Sequence, residues 1–191
     1  IFQGIFIVLL LGICMISCVK ALILEFNIDE QYAISLGYRM ANGDKMFLDM
    51  WEPHQTSGFV CAIFTKLFLI LAGGVEGLVV FLRLIGIILQ IVVSIFLFFT
   101  LKKSYSKEMS FYCALSVFAL LPKGIQVAEF SNLFIWSMVC TMACLWNLYM
   151  GSKKVRTYSI LAGVFTCVSI LCYPSFLIVV PIDITILLCD N

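Results

Sequence analysis

The apolar run Leu78–Leu101, in which Arg83 is the sole charged residue, constrains this chain more than any other feature. A helix rises 1.5 Å per residue, so about 20 apolar residues cross a hydrocarbon core of roughly 30 Å. The run is long enough to span a bilayer. Ile1–Leu24 is a second such stretch; a cleaved signal is the competing reading, but the run exceeds a usual signal core and no small-residue cleavage site follows it. Charged residues make up 12% of the chain and mean hydropathy is +1.11, against roughly 25% charged in soluble domains. The sequence therefore describes an integral membrane protein.

Further runs set the expected order of elements. Spans are predicted at 1–24, 78–101, 109–122, 133–150, 157–172 and 175–189, with a hinge at Tyr173-Pro174 between the last two. Thr56–Ala72 is apolar but short and carries Lys66 at its middle, so it reads as an interfacial or re-entrant helix closed by Gly73-Gly74. Lys102, Lys103 and Lys107 follow one span, and Lys153, Lys154 and Arg156 follow another. Basic loops stay on the cytoplasmic side, which places residues 25–77 on the opposite, extracytoplasmic face. The expected fold is all-α: a polytopic transmembrane helical bundle with an extracytoplasmic loop of short amphipathic juxtamembrane helices. Residues 1–191 form a single membrane domain. Because the chain starts without Met and stops just after an apolar run, it reads as an excerpt of a longer protein.

One long polar interval, Asp29–Gln55, holds Asp29, Glu30, Asp44, Asp49 and Glu52 between apolar neighbours. Asn27 followed by Glu30 resembles a helix-start box, and Ile28, Tyr32, Leu36 and Met40 recur every four residues up to Asn42-Gly43. A short amphipathic helix along the membrane surface is expected there. The nine cysteines lie in apolar runs and act as small hydrophobes; Cys14/Cys18 and Cys140/Cys144 have helical spacing but no histidine beside them, so neither zinc nor a disulfide frame is expected. A net charge of +1 with scattered basic residues leaves no nucleic-acid footprint.

Asp29-Glu30 after the first span, Tyr32-Ala33, Arg39-Met40, Gly43-Asp44 and Glu52-Pro53, then an apolar helix, Gly73-Gly74 and Phe81-Leu82-Arg83-Leu84, occur in an order that resembles the start of GT-C-type membrane glycosyltransferases. The likeness is to the branch holding protein O-mannosyltransferases and lipid A aminoarabinose transferases, and covers roughly residues 13–103. It implies transfer of a sugar from a polyprenyl-phosphate donor to a lipid, glycan or protein acceptor at the outer face of the plasma (inner) membrane, with Asp29 in the position of the family's acidic residue. This chain departs from the pattern in two places. Glu52-Pro53-His54-Gln55 stands where a basic Lys-Pro-Pro-like motif is frequent, and Glu129 or Asn132 stands nearest a frequent second-loop Asp.

Such a transfer needs a carboxylate to take the acceptor proton and a cation to neutralise the departing phosphate. Asp29 is the first choice of base and Asp49 the second, with Glu30 a third carboxylate whose other reading is a helix cap. His54, Gln55, Arg39, Arg83, Lys66 and Tyr32 are the candidate substrate-binding residues. For Arg83 the alternative is pairing with Glu76, for Lys66 snorkelling, and for His54 loop packing. If a divalent metal ion takes the cation's place, Asp29 and Glu129 are its candidate ligands; no cofactor is otherwise expected. The rival class is a polytopic transporter or lipid flippase, for which Asp183 in the last apolar run is the ionisable candidate. Such a protein should show broken helices near the middle of the bilayer.

Overall fold

The computed structural model describes residues 2–23, 27–120, 124–181 and 184–185, and these are helical throughout apart from turns and short irregular links. The helices are α1 (Phe2–Ile23), α2 (Ile28–Ala41), α3 (Phe59–Ala72), α4 (Leu78–Leu101), α5 (Lys107–Ala119), α6 (Phe130–Tyr149) and α7 (Val155–Cys172). A 3-10 turn, Gln55–Gly58, leads into α3, and another, Pro174–Val179, follows α7. Among the described residues five segments are long and apolar enough to cross a membrane: Gly4–Ile23, Gln55–Ala72, Leu78–Leu101, Phe130–Tyr149 and Val155–Cys172.

Four of these agree with the expected spans, and two expectations change. The span expected at 109–122 is a helix of only 13 residues, ending at Ala119. Its carboxyl end stops halfway along α4, where Gln90 Nε2 donates to the carbonyls of Phe118 (2.8 Å), Leu120 (2.9 Å) and Val117 (3.3 Å). Ile125–Ala128, ahead of α6, is non-helical, and each of its residues is buried. Non-helical backbone is tolerated at membrane depth only inside protein, and this segment meets that condition. Beyond α7, the expected span 175–189 begins as the 3-10 turn Pro174–Val179; Asp183 and the end of that range lie outside the described residues. Tyr173, at φ −132° and ψ 96°, has the extended backbone that a following proline favours.

Segment Gln55–Ala72 satisfies a span by length and composition, yet both of its ends sit at one end of the bundle. Cys61 Sγ donates to the Ala128 carbonyl (3.4 Å) next to the start of α6, and Thr56 Oγ1 donates to the Leu171 carbonyl near the end of α7. Phe64 and Phe68 pack with Leu78 and Leu82 in the first turns of α4, with the Phe68 and Phe81 rings 5.0 Å apart. A linker of Gly73–Gly77 reaches at most about 18 Å. Helix α3 thus contacts the starts of α4 and α6 and the end of α7, and turns Ile63, Leu67, Ile70 and Leu71 outward.

α2 buries part of the stripe that its four-residue rhythm predicts: Leu36 is buried and, with Met40, lies against Gly58, while Ile28 at the start is 80% exposed. Ala33, Ile34, Gly37 and Ala41 are buried as well. A Cβ on Gly37 would lie 2.7 Å from Cys61 Cβ, so α2 and α3 approach closely at this small residue. At the opposite end of the bundle the two basic loops come together. Asn147 Nδ2 donates to the Thr100 carbonyl (3.2 Å), and Lys103 donates to the Tyr158 hydroxyl and lies 4.8 Å from the centre of that ring.

Candidate functional site

α2 starts where Asn27, in extended conformation, accepts a hydrogen bond from the Asp29 backbone N–H (3.0 Å). Asp29 and Glu30 occupy the first turn, where negative charge is favoured by the helix dipole. The Glu30 carboxylate turns inward, toward α4. Both Glu30 oxygens accept from Arg83, from Nε and from Nη2, each at 2.7 Å, while Arg83 Nη1 donates to the Leu22 carbonyl (3.0 Å). Arg83 thus pairs with Glu30 and not with Glu76, and one guanidinium ties together the end of α1, the start of α2 and the second turn of α4.

Tyr32 lies one turn beyond Asp29, and its hydroxyl donates to the Pro53 carbonyl, so the Asp29 face of α2 looks toward the 53–57 turn. Burial holds the Tyr32 phenol above its ordinary pKa, and the Glu52 carboxylate raises it further. His54 takes a left-handed conformation at φ 58°. Its ring stacks on Phe130 (4.5 Å, 9°) and meets Tyr173 edge-on (4.8 Å). Because a carbonyl only accepts, the 2.8 Å contact to Cys172 O makes His54 Nδ1 the donor and fixes the tautomer that leaves Nε2 as the second ring nitrogen.

Glu129 completes this end. It is 1% exposed, and its two oxygens accept from the backbone N–H groups of Ser131 and Asn132, each at 2.9 Å, so it caps α6 from inside the protein. Asn132 Nδ2 holds the non-helical segment by donating to the carbonyls of Val127 (2.7 Å) and Ile125 (3.1 Å). A cavity of about 360 Å³ opens beside Tyr173, lined by Ser131, Phe134, Ile135, Tyr173, Ser175 and Phe176 among others.

The remaining candidates are drawn into the loop's own architecture. Arg39 pairs with Asp44 (2.7 Å) and donates to the Asp49 carbonyl (2.6 Å); the Asp49 side chain accepts from the Lys45 N–H (2.8 Å). Gln55, buried, accepts from the N–H of Phe47, which is held at φ 65°. Lys66 Nζ donates to the Ala41 carbonyl (3.0 Å), closing the end of α2. Asp29, Glu30, Tyr32, His54 and Glu129 thus gather near one end, whereas Asp49, Arg39, Gln55 and Lys66 stabilise the 42–55 loop and its junction with α3. Among the described residues no group of three or more His, Cys, Asp or Glu side chains comes together to hold a metal. The residues that sequence reasoning passed over are Gln90 and Gln126, whose Nε2 donates to Gln90 Oε1 (2.9 Å). A lone carboxamide within the apolar run of α4 was the available signal.

Fold and site together define an all-helical, membrane-compatible protein with a polar end and a basic end. Compared with family models, with curated proteins and with solved structures, the chain matches none.

Proposed function

We propose that this protein is a glycosyltransferase that moves a sugar from a polyprenyl-phosphate donor to a lipid, glycan or protein acceptor. The observation that carries the reading is the gathering of Asp29, Tyr32, His54 and Glu129 at the end of the bundle opposite Lys102, Lys103, Lys153 and Lys154. By the preference of basic loops for the cytoplasm, that end faces outward across the plasma membrane. Asp29, half-buried in the first turn of α2, takes the proton of the acceptor hydroxyl. The acceptor oxygen bonds to the anomeric carbon as its bond to the phosphate oxygen breaks. His54, on the turn that Tyr32 meets, is the group that faces the departing phosphate, since Arg83 is engaged by Glu30 and Arg39 by Asp44 and the Asp49 carbonyl. The test is a transfer assay on the full-length protein with a polyprenyl-phosphate sugar. Asp29→Asn should cut turnover by about 10² to 10⁴; wild-type rates in both Asp29→Asn and Asp49→Asn would sink the assignment.

A transporter or flippase is supported by one observation, the break between α5 and α6 with buried Gln90, Gln126 and Asn132 around it. Among the described residues the charged side chain at that break is Glu129, which is bonded to two backbone N–H groups. The charge lies at the polar end instead, which favours the transferase. Substrate flux into vesicles, lost on Gln126→Leu and independent of Asp29, would reverse the ranking.

A further inference from the structure

Among its described side chains, helix α1 is fastened to the bundle at one end. Its buried side chains are Cys14, Cys18 and Ala21, and Arg83 grips the Leu22 carbonyl, whereas Ile5, Phe6, Val8, Leu9 and Leu11 are exposed. Toward the basic end α1 stands off from α4 and α5, and the gap is a wedge of about 490 Å³. Leu11 and Met15 wall one side, Ile91, Ile95 and Phe98 the second, and Phe111, Leu115 and Phe118 the third. Such a wedge is too apolar to hold ordered water, which needs two to four polar partners. In a bilayer an acyl chain is the apolar filler at hand.

The wedge has a polar mouth. Phe98 and Phe111 also line a second cavity of about 300 Å³, bounded by Ile7, Lys107, Glu108 and Tyr112. Lys102 stands over the rings of Phe98 and Phe99, at 5.7 and 5.2 Å, so its ammonium is held above the floor of the wedge. Lys103 is occupied by Tyr158. Lys102 and Lys107 together outweigh Glu108, leaving a net positive mouth on an apolar slot.

We propose that this wedge is a binding site for one anionic glycerophospholipid of the leaflet at the basic end, its acyl chain between α1, α4 and α5 and its phosphate at Lys102 and Lys107. The lipid replaces the missing helix contact and wedges α1 at its proper tilt. The site is at the end of the bundle away from Asp29, so it is distinct from a donor-lipid site and does not depend on the transferase reading.

The experiment is native mass spectrometry of the full-length protein in detergent, titrated with phosphatidylglycerol and, separately, phosphatidylcholine. One phosphatidylglycerol should bind at least about tenfold more tightly than phosphatidylcholine, since each lysine near an anionic headgroup favours it severalfold. Lys102→Gln/Lys107→Gln should erase that preference, and Ile95→Trp, which fills the slot from its lipid-exposed side, should lower occupancy of both lipids. Equal affinity for the two lipids, or unchanged binding in the lysine and tryptophan variants, overturns the proposal. So does a lipid-free dimer, which would assign the wedge to a second copy of the chain.

Discussion

Glu30 and Arg83, 53 residues apart, meet fork to fork, with both oxygens of one bonded to two nitrogens of the other at 2.7 Å and side-chain exposures of 3% and 6%. Three helices converge on that pair. A buried bridge of this kind is costly to break and often inexpensive to replace, because removing one partner strands the other charge. Arg83→Met or Glu30→Met should each destabilise the protein by about 3 to 5 kcal/mol, while Glu30→Met/Arg83→Met together should cost clearly less than the sum. Denaturant unfolding in detergent, followed by circular dichroism, reads all three; additive losses would show that the pair is not coupled.

Gly86 is the place where α4 lets the non-helical segment through. A Cβ there would sit 1.7 Å from the Gln126 carbonyl oxygen, a backbone atom that cannot step aside as a side chain would. Gly86→Ala should therefore destabilise by at least about 1 to 3 kcal/mol, the usual range for overpacking. Gly163→Ala in α7, where a Cβ meets nothing within 4 Å, is the control and should be neutral or slightly stabilising. Thermal midpoints of the two variants in the same detergent decide the matter.

Gln90 and Gln126 should respond unequally. Gln90→Leu leaves the carbonyls of Val117, Phe118 and Leu120 without their shared donor and should cost about 1 to 3 kcal/mol. Gln126→Leu removes one donor and also a buried Oε1 that has no partner, so its loss should be smaller. Hydrogen exchange at residues 117–120 should speed up in the first variant more than in the second.

The phenol of Tyr32 supplies a pH dependence. Its pKa is raised in the folded protein, so the folded state holds this proton more tightly than the unfolded chain does. The contribution is complete below the ordinary phenol value of about 10 and is lost as pH rises through the raised one. Melting temperatures should fall above that value in the wild type, and less steeply in Tyr32→Phe; identical slopes would count against the Tyr32 hydroxyl bond to Pro53.

Most of the helices were legible from hydropathy, because a run such as Leu78–Leu101 has few alternatives in a bilayer. The acidic first turn of α2 and its Asn27 cap were legible too, from residue types that act locally. What could not be read was which carboxylate does what. Glu30 and Arg83 meet across α1 and α4, and nothing in spacing reveals a partner so far along the chain. The α5 span was misjudged for a related reason: Phe111–Leu121 is apolar enough to pass for half of a longer helix, and its end is set by Gln90 on another helix. The face of α2 is legible in part: Leu36 of the four-residue rhythm is buried, but Ile28 is exposed and the close approach to α3 falls at Gly37.

The short α5 and the bare backbone after it also bear on how the chain enters a membrane. A helix of 13 residues covers only about 20 Å and cannot cross on its own. The carbonyls at its end are met by Gln90, and those of Ile125 and Val127 by Asn132. Neither donor belongs to the segment it serves. Lys107–Leu120 and Ile125–Ala128 are therefore expected to enter the lipid together with α4 and α6, as one three-part unit. Ribosome-stalled chains ending before Asn132 should leave this segment accessible to aqueous labels, and chains ending after Tyr149 should bury it.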